Sequence, residues 1–166
     1  MFDMTPPDDI HAFFRKWLTQ GTFEWETDGW PYWSMLNHAR SYWDFRHLPN
    51  IHFFHYTDML NDLDGEMRRM ASALAIPINE TNWDALVDAA RFDNMKAKAD
   101  QLAPDVDWGA WADNARFFNK GTSGQWRDVL DEDDLMIYQD VLEKRLEPEL
   151  AKWLQDGGRI AASRET

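Results

Sequence analysis

The chain of 166 residues sets 17 Lys and Arg against 30 Asp and Glu, a formal charge of −13, and contains no Cys. Disulfides, thiolate metal sites and Cys nucleophiles are therefore excluded, and the acidity argues against nucleic acid, whose phosphates need many Lys and Arg. With 44% hydrophobic and 28% charged residues it reads as one globular domain or a large part of one. No apolar run approaches the roughly 18 residues of a membrane span, and the opening MFDMTPP is not a signal peptide. A cytoplasmic chain without membrane association is expected.

Pro6, Pro7, Asp8 and Asp9 read as a helix start, and Ile10, Phe13, Phe14, Trp17 and Leu18 follow at helical spacing until Gly21. Residues 22–33 lack a period and read as an aromatic loop. A second helix is expected over 34–47, stopped by Pro49. The run Ile51 to Tyr56 is short, aromatic and bounded by turn signals, so it is read as a strand. From Asp58 a helix should carry the stripe Leu63, Met67, Met70, Ala71 and Leu74 up to Pro77. Thr81 or Asn82 is a candidate cap for a helix through Trp83, Leu86, Val87 and Ala90. Residues 100–125 read mostly as loop, and a last helix runs from Asp131 to about Gln155. Four or five helices with one strand leave two options: the chain is all-α, or its strand joins a sheet whose other strands lie elsewhere.

Few residues invite catalysis. His52 and His55, three apart on a strand, point to opposite faces and do not chelate one ion together. His11, His38 and His47 lack an HExxH-type partner, so no metal site is expected. Asp8, Asp9 and the acids from Asp131 to Asp134 are explained by helix capping and the macrodipole. No Ser sits in a Gly-x-Ser-x-Gly elbow. The informative stretch is Phe117 to Arg127, where Gly121 and Gly124 permit tight turns beside Asn119, Lys120, Thr122 and Ser123. It fits a phosphate cradle, and it also fits an ordinary Gly turn with one exposed Lys.

The residues Asn119-Lys120-Gly121-Thr-Ser-Gly124-Gln-Trp126-Arg127 resemble the C-terminal signature of the cytosolic-type sulfotransferases, Arg-Lys-Gly-x-x-Gly-x-Trp-Lys. Tyr56-Thr-Asp58-Met59 is similar to the family's Tyr-x-Asp-Met, and Phe92-Asp-Asn-Met95-Lys96 to its Phe-x-x-Met-Lys. The stretch 8–43 looks like the family's aromatic substrate side. The three motifs occur in order, and the likeness covers nearly the whole chain but only the C-terminal half of the family's domain.

The resemblance implies an α/β fold, of which this chain would be a mostly helical part with one or two short strands. It implies transfer of a sulfuryl group from 3′-phosphoadenosine 5′-phosphosulfate to a small hydroxyl or amine acceptor. Tyr56 would touch the adenine edge, Phe92 would stack near the base and Met95 would pack behind it. Lys120 and the Gly121 N–H would hold the 3′-phosphate beside Asn119, with Trp126 supporting the loop. Asn119 stands where the family has Arg, which replaces a bidentate cation by a neutral amide. Arg91 replaces the family's Ser before Phe92, and Asp131 and Glu132 replace the Thr-Val of its dimerisation signature, so that dimer is not expected. The family's phosphosulfate loop, its catalytic Lys and its His base find no counterpart in this sequence, and the chain alone is expected to be inactive. Self-association, or pairing with the N-terminal half, is the partner expectation. Two other readings use the rings instead: a non-catalytic interaction protein gripping a partner through residues 23–33, and a carbohydrate-binding module using Trp25, Trp30 and Trp33.

Overall fold

The computed structural model describes residues 5, 7–103, 117–118 and 120–160. They form nine α-helices: α1 (Ile10–Thr19), α2 (Met35–Trp43), α3 (Tyr56–Asn61), α4 (Leu63–Ala73), α5 (Glu80–Ala89), α6 (Phe92–Ala97), α7 (Ala99–Leu102), α8 (Glu132–Arg145) and α9 (Pro148–Asp156). A short 3-10 turn spans Gln125–Asp128. The chain divides into two compact units, one of residues 1–53 and 124–166, the other of residues 54–123.

The first unit joins the two ends of the chain. Leu18 from α1, Leu36 and Trp43 from α2, Val141 and Leu142 from α8, Leu146 and Leu150 form one buried cluster. Phe53 and Trp153 pack edge-on at 5.4 Å beside Trp43. Its N-terminal helix starts at Ile10, not at the prolines, because Asp9 is the N-cap and accepts from the Ala12 N–H. The acids at Asp131 and Asp134 do form a reciprocal capping box at the start of α8. Asp134 is also fully buried and receives Arg15 Nε at 2.6 Å and His11 Nδ1 at 2.5 Å from α1. Burial alone would raise its carboxyl, but the hydrogen bonds from His11, Arg15 and the Asp131 N–H outweigh that and hold it down at about 2. The same bond to Asp134 raises His11 above its usual value. The long C-terminal helix of the sequence reading is two helices, since Pro148 removes a backbone donor and starts α9 instead.

The described residues of the second unit pack in smaller clusters. Ala71, Trp83 and Val87 form one buried cluster with Leu63, Met67 and Ile78 against it, while Leu74 at the end of the expected stripe is exposed. The Trp83 indole N–H donates to Asp64, which lowers that carboxyl and ties α5 to α4. The single helix expected from Asp58 is broken at Asp62, whose backbone leaves the helical region while its side chain caps α4 through the Gly65 N–H. Asn79, rather than Thr81 or Asn82, caps α5.

The expected strand is a correction. Among the described residues there is no strand, and Tyr56 opens α3 instead of closing a β run. A strand needs a ladder partner, and none of the described residues supplies one. The aromatic residues of the run are used in side-chain packing instead. Phe53 joins the core of the first unit, while Phe54 in the second carries the Arg69 guanidinium 3.8 Å from its ring centre. His55 takes the N-cap of α3, accepting the Thr57 N–H on Nδ1 at 3.2 Å.

Candidate functional site

The sequence-expected site residues that are described all belong to the second unit: Tyr56, Phe92, Met95, Lys120 and Gly121. Asn119 lies outside the described residues. Gly121 has φ +64°, a backbone state that disfavours any Cβ, and a Cβ there would overlap the ring of Phe92. Glycine is thus required twice at this position, for the turn and for the approach to the ring. Phe92 opens α6, is half-buried, and meets Phe118 edge-on at 6.3 Å. Phe118 is in turn buried with Ala99 and Ala103, and Met95 packs against the same cluster one turn along α6. Phe92, Met95 and Gly121 therefore form one assembly.

Lys120, the residue before Gly121, is exposed. The far end of the loop reaches α3, where the Ser123 and Thr57 hydroxyls lie 3.5 Å apart. Thr57 directly follows Tyr56, which is itself exposed at the helix start. The loop 120–123 thus spans from the face of Phe92 to the first turn of α3. The motifs at 56, 92 and 121, far apart in sequence, meet through this loop.

Two residues of the motif stretches that carry no expected role also contribute. Lys96 places its Nζ 5.8 Å from the Phe92 ring centre, because α6 brings position 96 one turn above position 92. Phe118 is the buried support of Phe92; its signal was its place in an aromatic pair just before the Gly-containing loop. Arg91, by contrast, is exposed and forms an ion pair with Asp88 at 3.6 Å. Gly124 also has a positive φ, but what a Cβ would meet there is the flexible end of Arg127. Arg127 stacks over Trp126, 4.6 Å from its ring centre, in the 3-10 turn of the first unit.

Elsewhere the first unit contains a cleft of about 360 Å³ lined by His38, Tyr42, Ile51, His52, Phe53 and Trp153. His11, Asp131 and Asp134 lie close enough together to suggest an ion site, yet both Asp134 oxygens are engaged by Arg15, His11 and the Asp131 N–H. That cluster is a clamp between α1 and α8. Among the described residues no helix is long and apolar enough to cross a membrane.

Comparison with known proteins points to one family. The profile of the sulfotransferase domain matches residues 7–154. A glycolipid sulfotransferase of Mycobacterium bovis is 33% identical over 126 residues, covering 76% of this chain and 38% of that protein. A glycolipid sulfotransferase of Mycobacterium tuberculosis is 33% identical over the same length, covering 39% of its own chain. An amine sulfotransferase of Oryctolagus cuniculus is 28% identical over 100 residues, 55% of this chain and 32% of that one. The matched part therefore spans about two-fifths of the mycobacterial relatives. No solved structure matches the chain.

Proposed function

The chain belongs to the sulfotransferase family, and from that premise we propose that it carries the adenine and 3′-phosphate side of a site for 3′-phosphoadenosine 5′-phosphosulfate. The family's fold is α/β, and this chain supplies a mainly helical part of it, the C-terminal half. Bound there, the donor would supply an activated sulfuryl group for an acceptor oxygen or nitrogen, whose proton would pass to a general base as adenosine 3′,5′-bisphosphate leaves. The acceptor class is a hydroxyl or amine, and the names of the mycobacterial relatives favour a glycolipid hydroxyl.

The observation that carries this reading is the contact of Gly121 with the Phe92 ring. It sets a cation-bearing turn beside an aromatic face, the two chemistries a nucleoside 3′-phosphate needs. Phe92, packed with Met95 against the Phe118 cluster, serves the base with the part of its ring that Gly121 leaves uncovered. Lys120 and the Gly121 N–H serve the phosphate, assisted by the amide of Asn119. Lys96, with its Nζ 5.8 Å from the Phe92 ring centre, adds positive charge near that ring. Tyr56, linked to the loop through the Thr57–Ser123 contact, serves the adenine edge. In the family, the phosphosulfate loop and the general base belong to the N-terminal half of the domain.

Calorimetry with adenosine 3′,5′-bisphosphate tests the assignment. Saturable binding by the chain, weakened about tenfold or more in Lys120→Ala, is expected. Equal affinity in Lys120→Ala, or no binding by the folded chain, would overturn it.

A further inference from the structure

The ion pairs on α4 are of two kinds. Arg68 pairs with Asp64 and Glu80, whose side chains are 53% and 70% exposed. Arg69, the next residue, pairs with Glu66, whose side chain is only 4% exposed. An exposed pair contributes little and costs little. A buried carboxylate is expensive to desolvate, and an apolar pair of the same volume is often no less stable. The Glu66–Arg69 pair therefore calls for a reason other than stability.

Its geometry supplies one. Arg69 grips Glu66 at two points, Nε donating to Oε1 at 3.2 Å and Nη2 to Oε2 at 2.5 Å, which fixes the plane of the guanidinium. Its central carbon then lies 3.8 Å from the ring centre of Phe54, so the flat cation covers that ring. Phe54 is two residues before Tyr56, and the backbone between them is anchored as well. His55 is extended and accepts the Thr57 N–H on Nδ1 at 3.2 Å. The Thr57 hydroxyl lies 3.5 Å from that of Ser123, in the loop after Gly121. One series of contacts thus runs from Glu66 through Arg69 and Phe54 to the first turn of α3, and on to the 120–123 loop. Tyr56 is exposed at that turn, so its place is set by the backbone on either side.

We infer that Glu66 and Arg69 are positioning residues for the nucleotide: they hold Phe54, and through it Tyr56 and Thr57, where the base meets α3. Neither residue needs to touch the nucleotide itself. This deepens the donor-site reading proposed above and rests on it.

The test sets adenosine 3′,5′-bisphosphate affinity, by calorimetry, beside urea midpoints for Arg69→Lys, Phe54→Leu, their double substitution, Phe54→Tyr and Arg68→Lys. Lysine keeps the charge beside Glu66 but is a point charge that cannot lie flat on a ring. Leucine keeps an apolar side chain at Phe54 without its face. Each of these two variants should weaken binding about fivefold, and the double should lose no more than about the same fivefold. Phe54→Tyr, which keeps the ring, and Arg68→Lys, on the exposed pair, should stay within about twofold. A merely structural role would lower the urea midpoint and leave affinity unmoved. Affinity unchanged in the single variants, losses that multiply in the double, or an equal loss in Arg68→Lys would overturn the inference. Either single variant decides alone, so loss of folding in one leaves the other as the test.

Amide shifts of Thr57 and Ser123 in the nucleotide-free chain distinguish this failure from that of the donor site. Shifts moved by Arg69→Lys, with no nucleotide binding by the unsubstituted chain, defeat the donor site and the inference with it, leaving only a link to α3. Nucleotide binding, with shifts that Arg69→Lys leaves in place, defeats the positioning alone.

Discussion

The unit of residues 1–53 and 124–166 gathers Leu18, Leu36, Trp43 and the leucines of α8 and α9 into one continuous core. Among the described residues, the unit of residues 54–123 holds two small clusters, around Trp83 and around Phe118. The proposed donor residues that are described sit in the second unit. Shape there is set by local devices: a cap at Asp62, a cap at Asn79, and a left-handed Gly121 against a ring. Substitutions in the first unit should therefore be felt as lost stability, and substitutions near Gly121 as lost binding.

Truncating a core leucine is the strongest way to test that contrast. Leu142→Ala, at a fully buried position, should cost about 3 kcal/mol in urea unfolding. Leu63→Ala, at a half-buried position in the second unit, should cost less than about 1.5 kcal/mol. Equal costs would erase the distinction. Next in size is Gly121→Ala, which must both strain a φ of +64° and displace Phe92. Its affinity for adenosine 3′,5′-bisphosphate should fall about tenfold. Gly124→Ala also strains a positive φ, but only Arg127 has to move, so its loss should be smaller.

The α1–α8 clamp predicts a pH dependence confined to the first unit. Asp134 is lowered from 3.8 to about 2, so its contribution is complete above pH 3.8 and disappears as pH falls toward 2. His11 is raised above 6.5, so its contribution is complete below pH 6.5 and disappears as pH rises through the higher native value. Urea midpoints of the chain should therefore peak between these limits, and Asp134→Asn should flatten both flanks. The smallest effect belongs to Arg91→Ala. Its exposed pair with Asp88 should contribute less than about 0.5 kcal/mol, and nucleotide affinity should change by less than about twofold. A larger loss of affinity would make Arg91 a ligand contact.

Much of this was legible in the sequence because it depends on short-range rules. The Phe13, Phe14, Trp17 and Leu18 spacing identified α1, and the Asp131 and Asp134 pair identified the start of α8. The motifs at 56, 92 and 120 carried the family likeness, and the family profile covers all three. What sequence could not supply was tertiary. The run at Ile51 has strand composition, but pairing depends on neighbours that periodicity does not reveal. The break at Asp62 follows from a side-chain cap competing with the backbone, which a helical stripe passes over. Trp25, Trp30 and Trp33 look alike in sequence, and only the position of Lys16 and Phe13 separates the buried ring from the exposed ones. His11 and Asp134 lie 123 positions apart, beyond any motif.

The central claim, a nucleotide half-site built on Gly121 and Phe92, is tested most directly by two-dimensional amide NMR of the labelled chain titrated with adenosine 3′,5′-bisphosphate. Saturable shifts should concentrate at Thr57, Phe92 to Lys96 and Lys120 to Ser123. Shifts confined to residues 1–53 and 124–166, or no shifts at all in a well-dispersed spectrum, would contradict it.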